Sequence, residues 1–204
     1  MEKQLSQQEI WENLAKPWSE YRQEPLKEVT DFLKNKSGNI LDLGCGSGRH
    51  LAKLKDSIFY CLDFSKNMLK FAKKNSNKRK IKAKFIQSPA EKLPFDKEFF
   101  DSVIYIATLH CIPNKKDRKQ SLKELYRVLK PHSQCLISVW SKNHLRLKNK
   151  PKNAFISWTY KNIKYERYYY LYDKDELEQE LKQAKFKIIS IKEDNKSIIA
   201  IVEK

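Results

Sequence analysis

Glycine is scarce in this chain: 4 among 204 residues, at Gly38, Gly44, Gly46 and Gly48. Three of them lie close together, so backbone freedom is concentrated in one short stretch. Long apolar runs are missing as well. None approaches the ~20 residues that span a bilayer, and the N-terminus MEKQLSQQEIW has no apolar signal core. The four cysteines, Cys45, Cys61, Cys111 and Cys135, are far apart and show no Cys-x-x-Cys or Cys/His spacing. That argues against a zinc site or a disulfide framework and fits a reducing, cytoplasmic setting with no membrane partner. Acidic residues are also few, 25 against 42 Lys and Arg, for a formal net charge of +17. With 40% hydrophobic and 12% aromatic residues the chain is too apolar for a disordered basic tail. Its charge predicts a polyanionic partner, nucleic acid first and an anionic membrane surface second.

What is present reads as alternating elements. Ser6-Gln7-Gln8-Glu9 is a capping box for a helix carrying Ile10, Trp11 and Leu14, with Pro17 expected to stop it. Pro25 opens a second helix with Val29, Phe32 and Leu33, and Gly38 closes it. Ile40–Leu43 is a strand, followed by the glycines and a helical stretch with Leu51 and Leu54. Ile58–Leu62, Ala83–Gln87, Asp101–Ile106 and Gln134–Trp140 are further strands. Ser65 caps a helix with Met68, Leu69 and Ala72, and another helix carries Leu122, Leu125 and Leu129. Alternation of this kind predicts an α/β fold with a parallel sheet and right-handed crossovers. At the end, Asp173 and Glu176 form a capping pair for a helix. Phe186–Ile191 and Ser197–Val202 then make an antiparallel hairpin. The length suits one domain.

The run Leu41-Asp42-Leu43-Gly44-Cys45-Gly46-Ser47-Gly48 sits between a strand and an expected helix. It has G-x-G-x-G spacing, with Arg49 where a dinucleotide fingerprint wants its third glycine, and no phosphate-loop signature. Asp42 just before the turn suggests a ligand with positive charge. Asp63, at the end of the next strand, can accept hydrogen bonds from both hydroxyls of a ribose. Asp63 could instead cap the following helix, but Ser65 is better placed for that task.

Ile40–Gly48, Asp63, Ser65–Ala72, Leu93-Pro94-Phe95 and Phe100-Asp101-Ser102-Val103 together resemble the class I S-adenosylmethionine-dependent methyltransferases. The likeness covers residues 38–140. It implies a Rossmann-like, doubly wound, seven-stranded and mostly parallel sheet that the terminal hairpin completes. It implies S-adenosylmethionine as cofactor, with Gly44, Cys45, Gly46 and Gly48 around the methionine portion and Asp42 near its ammonium. Asp63 and Phe64 would lie at the ribose, and Ile106 and Ala107 beside the sulfonium. Many relatives carry an acidic residue near position 88 for the adenine. Here Ser88-Pro89-Ala90 stands instead, leaving Ser88 and Ala90 as adenine contacts.

The flanks resemble one branch of that class, the tRNA wobble-uridine carboxymethyl methyltransferases. The carriers are Trp11–Leu26, Ile106–His110, the Val139-Trp140 strand end, and Arg167-Tyr168-Tyr169-Tyr170-Leu171-Tyr172. Arg22, His110 and Arg167 are the candidates to hold a substrate carboxylate or a nearby phosphate, since a guanidinium fork matches either anion. Lys142–Tyr165 holds seven Lys/Arg and no acid, with Phe155, Trp158, Tyr160 and Tyr165 interleaved. Cations beside aromatic faces suit an unstacked RNA loop. Trp140, Lys148, Lys150, Lys152, Trp158 and Tyr169 are the residues assigned to that contact; alternatively the stretch is a solvated loop anchored by its aromatics. A second run, Lys73–Lys84, is equally basic but belongs at the far end of the sheet. The third strand, 83–87, is expected at the sheet edge. The family resemblance implies a small zinc-binding activator subunit paired there.

These readings divide the domain into an N-terminal cover (1–37), a cofactor core (38–140), a basic aromatic substrate loop (141–172) and a closing helix with hairpin (173–204). They predict a tRNA methyltransferase that esterifies 5-carboxymethyluridine at the wobble position. The competitors are a methyltransferase for a small carboxylate or quinone precursor, and a non-catalytic RNA-binding subunit.

Overall fold

In the computed structural model, residues 5–147 and 149–204 are described. Lys148, assigned above to RNA, lies outside the described residues. Seven strands form the main sheet: β1 Gly38–Leu43, β2 Ser57–Asp63, β3 Ala83–Gln87, β4 Phe100–Ile106, β5 Leu129–Trp140, β8 Lys187–Glu193 and β9 Ser197–Glu203. Their order is β3-β2-β1-β4-β5-β9-β8. β9 runs antiparallel to both of its neighbours, and the first five strands pair in parallel. The sheet and its terminal hairpin agree with the sequence expectation.

Alternation along the strands builds two separate cores. Leu41, Leu43, Val103, Tyr105, Ile137 and Val139 face α4 (Lys115–Val128) and α5 (Lys174–Gln183). Ile40, Ile104, Ile106 and Leu136 face α2 (Lys27–Leu33) and α3 (Lys66–Arg79). Both faces of the central strands are therefore covered, which is why Val103–Tyr105 is fully buried. The carboxyl ends of β1, β2 and β4 open on a common side, where a doubly wound sheet places its ligand.

Several local expectations are corrected. Pro17 does not end α1, which runs Gln7–Tyr21 with Pro17 inside and buried. Packing holds the helix together across the missing hydrogen bond. Trp11 and Trp18 meet edge to face at 5.0 Å, and α1 lies along α3. Pro25 precedes α2, whose N-cap is Leu26. Gly38 begins β1 at φ 79° rather than closing α2; a Cβ there would lie 2.3 Å from an Asp101 carboxylate oxygen. No helix follows the glycines: residues 44–50 form successive turns, and β2 is reached through irregular backbone. The segment has too few apolar residues for a helical stripe: it buries Cys45 and Leu51 in the core, with Ala52 and Leu54 half-buried against it. Asp173 is the N-cap of α5 but makes no side-chain cap bond. It and Glu176 instead hold Lys152.

The largest difference lies in the segment read as a loop. β6 (Asn153–Tyr160) and β7 (Ile163–Tyr170) form a separate antiparallel hairpin. Lys161 and Asn162 make its two-residue turn, both at positive φ, as a twist-matched turn requires. Tyr168, Tyr169 and Tyr170 on β7 are all buried. Tyr168 and Tyr170 join the main core, while Tyr169 packs with Trp11 and Met68.

Candidate active site

The glycine turn is stitched to β2. The Gly44 and Cys45 amides both donate to the Leu62 carbonyl, at 2.8 and 3.0 Å, and the Gly46 amide donates to Asp63 Oδ2 at 2.8 Å. Gly44, at φ 72°, leaves room for Thr108, whose side chain would lie 2.2 Å from an added Cβ. Gly46, at φ 52°, presents bare backbone beneath the Trp18 ring. Beside this turn lies an open cleft, about 1070 Å³ when the adjoining solvent space is included.

Nine of the eleven residues assigned to the cofactor line this cleft: Gly44, Cys45, Gly46, Asp63, Phe64, Ser88, Ala90, Ile106 and Ala107. Gly48 does not; a Cβ on it would lie 3.1 Å from the Ala72 α-carbon. Asp42 does not either. It is 1% exposed beneath the turn, with Oδ2 unpartnered. Burial, and then the nearby Asp63 carboxylate, push Asp42 up to about 7. Asp63 uses both oxygens on backbone, accepting from Gly46 and from the Ser65 amide at 2.9 Å. Burial raises it to about 6, against those two hydrogen bonds. Two carboxyl groups under strong desolvation, a bare-backbone turn and an orphaned acidic oxygen fit a ligand with a cationic sulfur, a ribose and an amino-acid tail.

The cover over the cleft comes from α1. Gln7, Trp11 and Trp18 line it. Glu12 fastens α1 to the start of α3, accepting from the Lys66 and Asn67 amides at 2.6 and 2.8 Å. Gln7 bridges to β7, donating to the Glu166 carbonyl at 3.1 Å and accepting from the Tyr168 amide at 2.8 Å. Sequence reading missed Arg49 and His50, which also line the cleft. Arg49 has no carboxylate within 4.0 Å among the described residues, and desolvation lowers it to about 10. Burial holds His50 neutral, at about 3. The basic residue directly after the glycine turn was the signal available for Arg49.

Arg22, His110 and Arg167 do not line this cleft; they sit behind an aromatic wall beside it. The Arg22 guanidinium lies over Trp18 and Tyr21, at 5.3 and 5.1 Å from the ring centres. The Arg167 guanidinium faces Trp158 at 5.1 Å and donates to the Tyr169 hydroxyl at 2.8 Å. Neither has an ion-pair partner among the described residues, and the Nε of each is buried without a hydrogen bond. Tyr169 stacks on Trp140 at 4.3 Å, and His110 stacks on Trp140 at 5.4 Å. His110 is fully buried. It accepts the Trp140 amide on Nδ1 at 3.2 Å, and its Nε2 has no partner. Burial drives it down to about 3, so it is uncharged at neutral pH. Trp158 joins the same wall at 5.7 Å from Trp18. Lys150 is exposed, whereas Lys152 is bound to Asp173 and Glu176.

Comparison with known proteins adds context to this geometry. Residues 41–137 match the model of a methyltransferase domain. The chain is 26% identical to a tRNA (carboxymethyluridine(34)-5-O)-methyltransferase of Schizosaccharomyces pombe, over 96% of this chain and 95% of that protein. It is 30% identical to the Arabidopsis thaliana protein of the same name over 76% of this chain. It spans only 36% of that protein's length, and 22% of a Xenopus tropicalis relative's. A 2-phytyl-1,4-naphtoquinone methyltransferase of Nostoc punctiforme is 35% identical over 65% of this chain and 54% of its own length. In fold, the chain resembles the CcbJ methyltransferase of Streptomyces caelestis with a TM-score of 0.81 at 12% identity, covering 98% of this chain and 99% of that one.

Proposed function

We propose that this chain, whose residues 41–137 match the model of a methyltransferase domain, is an S-adenosylmethionine-dependent methyltransferase that acts on tRNA, esterifying 5-carboxymethyluridine at the anticodon wobble position. The observation that carries this reading is the pair Arg22 and Arg167. They are two guanidinium groups without carboxylate partners among the described residues, set among aromatic rings beside the cofactor cleft. Such a wall offers an anion site and stacking faces together, which an anionic, unstacked base requires. The relatives named for carboxymethyluridine methylation support the same substrate.

In this reading Asp63 holds the ribose, the Gly44–Gly46 backbone cradles the methionine portion, and Ser88 and Ala90 border the adenine. When bound, the cofactor supplies a methyl group on a positively charged sulfur. Arg22 and Arg167 orient the substrate carboxylate toward it, and Trp11 and Trp18 exclude water. A carboxylate nucleophile is already ionised at neutral pH, so no general base is needed. That agrees with His110, which burial keeps neutral and which orients Trp140 through its amide. α1 serves as the cover, while α2, read with it as cover from the sequence, packs on the sheet; the β6–β7 hairpin is the RNA-facing element. β3 stands at the sheet edge, which supports docking of a small zinc-binding activator subunit there.

The test is transfer of labelled methyl from the cofactor to carboxymethyl-modified tRNA, with nucleoside mass spectrometry of the product. A methyl ester at the wobble position is the expected result. Cofactor binding without any transfer to RNA rejects the reading. A small carboxylate or quinone precursor is the second reading, supported by the Nostoc relative. It requires transfer that is insensitive to both salt and ribonuclease, since phosphate contacts make RNA binding salt-dependent.

A further inference from the structure

Several lysines elsewhere stand beside a carboxylate. Lys130 pairs with Asp101, Lys182 with Glu178 and Lys187 with Glu203. From Lys66 to Lys84 there is no Asp or Glu, and among the described residues no side chain there makes an ion pair. The charge is also ordered. Lys66, Lys70, Lys74 and Lys78 recur every fourth residue on α3, all exposed, opposite the buried Met68, Leu69, Ala72 and Ser76. Like charges at this spacing repel one another and weaken a helix, and only Lys78, in the last turn, is compensated by the helix C-terminus, so most of the row is a cost to folding.

The row has a direction. Lys66 follows Phe64 and Ser65, and Phe64 lines the cofactor cleft. Glu12 ties this end to the α1 cover. The helix then descends its 14 residues, about 21 Å. Lys80 turns the chain at φ 53°, and Lys82 follows toward β3. Each four-residue step advances about 6 Å, close to the separation of successive phosphates along an RNA strand. Of the asparagines beside the row, Asn67 and Asn75 donate inward to the Glu12 and Ser47 carbonyls, and Asn77 is exposed. None of the exposed large apolar side chains lies on this helix, so it lacks the wedge that a membrane-surface helix inserts.

We propose that the α3 row is a phosphate track that carries the RNA backbone from the cleft mouth toward the opposite end of the sheet. The enzyme then grips nucleotides outside the methylated loop. This rests on the reading of the substrate as tRNA. It adds that an isolated anticodon stem-loop engages only the aromatic wall, while full-length tRNA engages both surfaces.

The full chain carrying Lys70→Gln, Lys74→Gln and Lys78→Gln tests the track. Glutamine keeps the helix propensity, and a thermal melt with S-adenosylhomocysteine titration verifies fold and cleft. Affinity for full-length tRNA is measured against salt concentration. The expected result is a log–log slope shallower by roughly 0.7–0.9 per lysine removed. Methyl transfer to the stem-loop should be unchanged and transfer to full-length tRNA weakened. An unchanged slope with wild-type tRNA affinity overturns the track while leaving the wobble reading intact. A wild-type protein that binds neither RNA overturns both. Loss of binding to phosphatidylserine vesicles, with tRNA binding retained, assigns the row to a membrane and overturns the proposal.

Discussion

Asp42 and Asp63 carry the titrations that matter in the cofactor-free protein. Both are raised above the ordinary carboxylate range, to about 7 and about 6, chiefly by burial. A raised folded-state value means that protonation favours the fold. That contribution is complete below the unfolded range and is lost as pH rises through about 6 and then about 7. The ligand-free protein should therefore melt at a higher temperature at pH 5 than at pH 8. Asp42→Asn should flatten this slope and stabilise the fold at pH 8, by at most about 4 kcal/mol; scanning fluorimetry across pH reads both effects. Arg49 belongs to the same cleft and has no ion-pair carboxylate among the described residues. Arg49→Met should weaken S-adenosylhomocysteine about tenfold and leave 5′-methylthioadenosine, which lacks the amino-acid tail, unchanged by calorimetry. Arg22→Met and Arg167→Met should do the converse, lowering transfer to RNA more than tenfold while cofactor binding stays within about twofold. The glycine turn, Asp63 and Ser65 were legible in the sequence because their spacing is local. Gln7 and Trp18 were not, since they reach the cleft only through the docking of α1.

The β6–β7 hairpin shows where local reading failed. Its strands alternate in burial along Asn153–Tyr160, and its turn is the two-residue Lys161-Asn162. Lysine charge and the absence of glycine disguised both signals. Neither turn residue suits positive φ as well as Asn-Gly does. The double variant Lys161→Asn, Asn162→Gly should raise stability by about 1 kcal/mol in urea unfolding, with the hairpin register kept. The helix expected after Gly48 failed for the opposite reason. The glycine motif suggested one, but the segment has no apolar stripe to hold it. Pro17 shows packing overriding propensity, since two tryptophans and α3 stabilise α1 across the gap.

For the whole molecule, strand alternation predicted the architecture well. Each face of β1 and β4 has its own set of helices, and the sequence shows both sets of apolar residues. The net charge of +17 was visible, but its division was not. Part of it flanks the aromatic wall, part is consumed in pairs such as Lys152 with Asp173 and Glu176, and part forms the row on α3.

The position of β9 bears on synthesis. β8 comes first in the chain yet reaches the sheet only through β9, which lies between it and β5. During translation, β5 thus keeps an open edge, with Ile137 and Val139 beside it, until residues 197–203 have left the ribosome. The sheet cannot be finished in the order in which it is made. A nascent chain stalled before Ser197 should be sticky and protease-sensitive, whereas one released past Glu203 should close in a single late step.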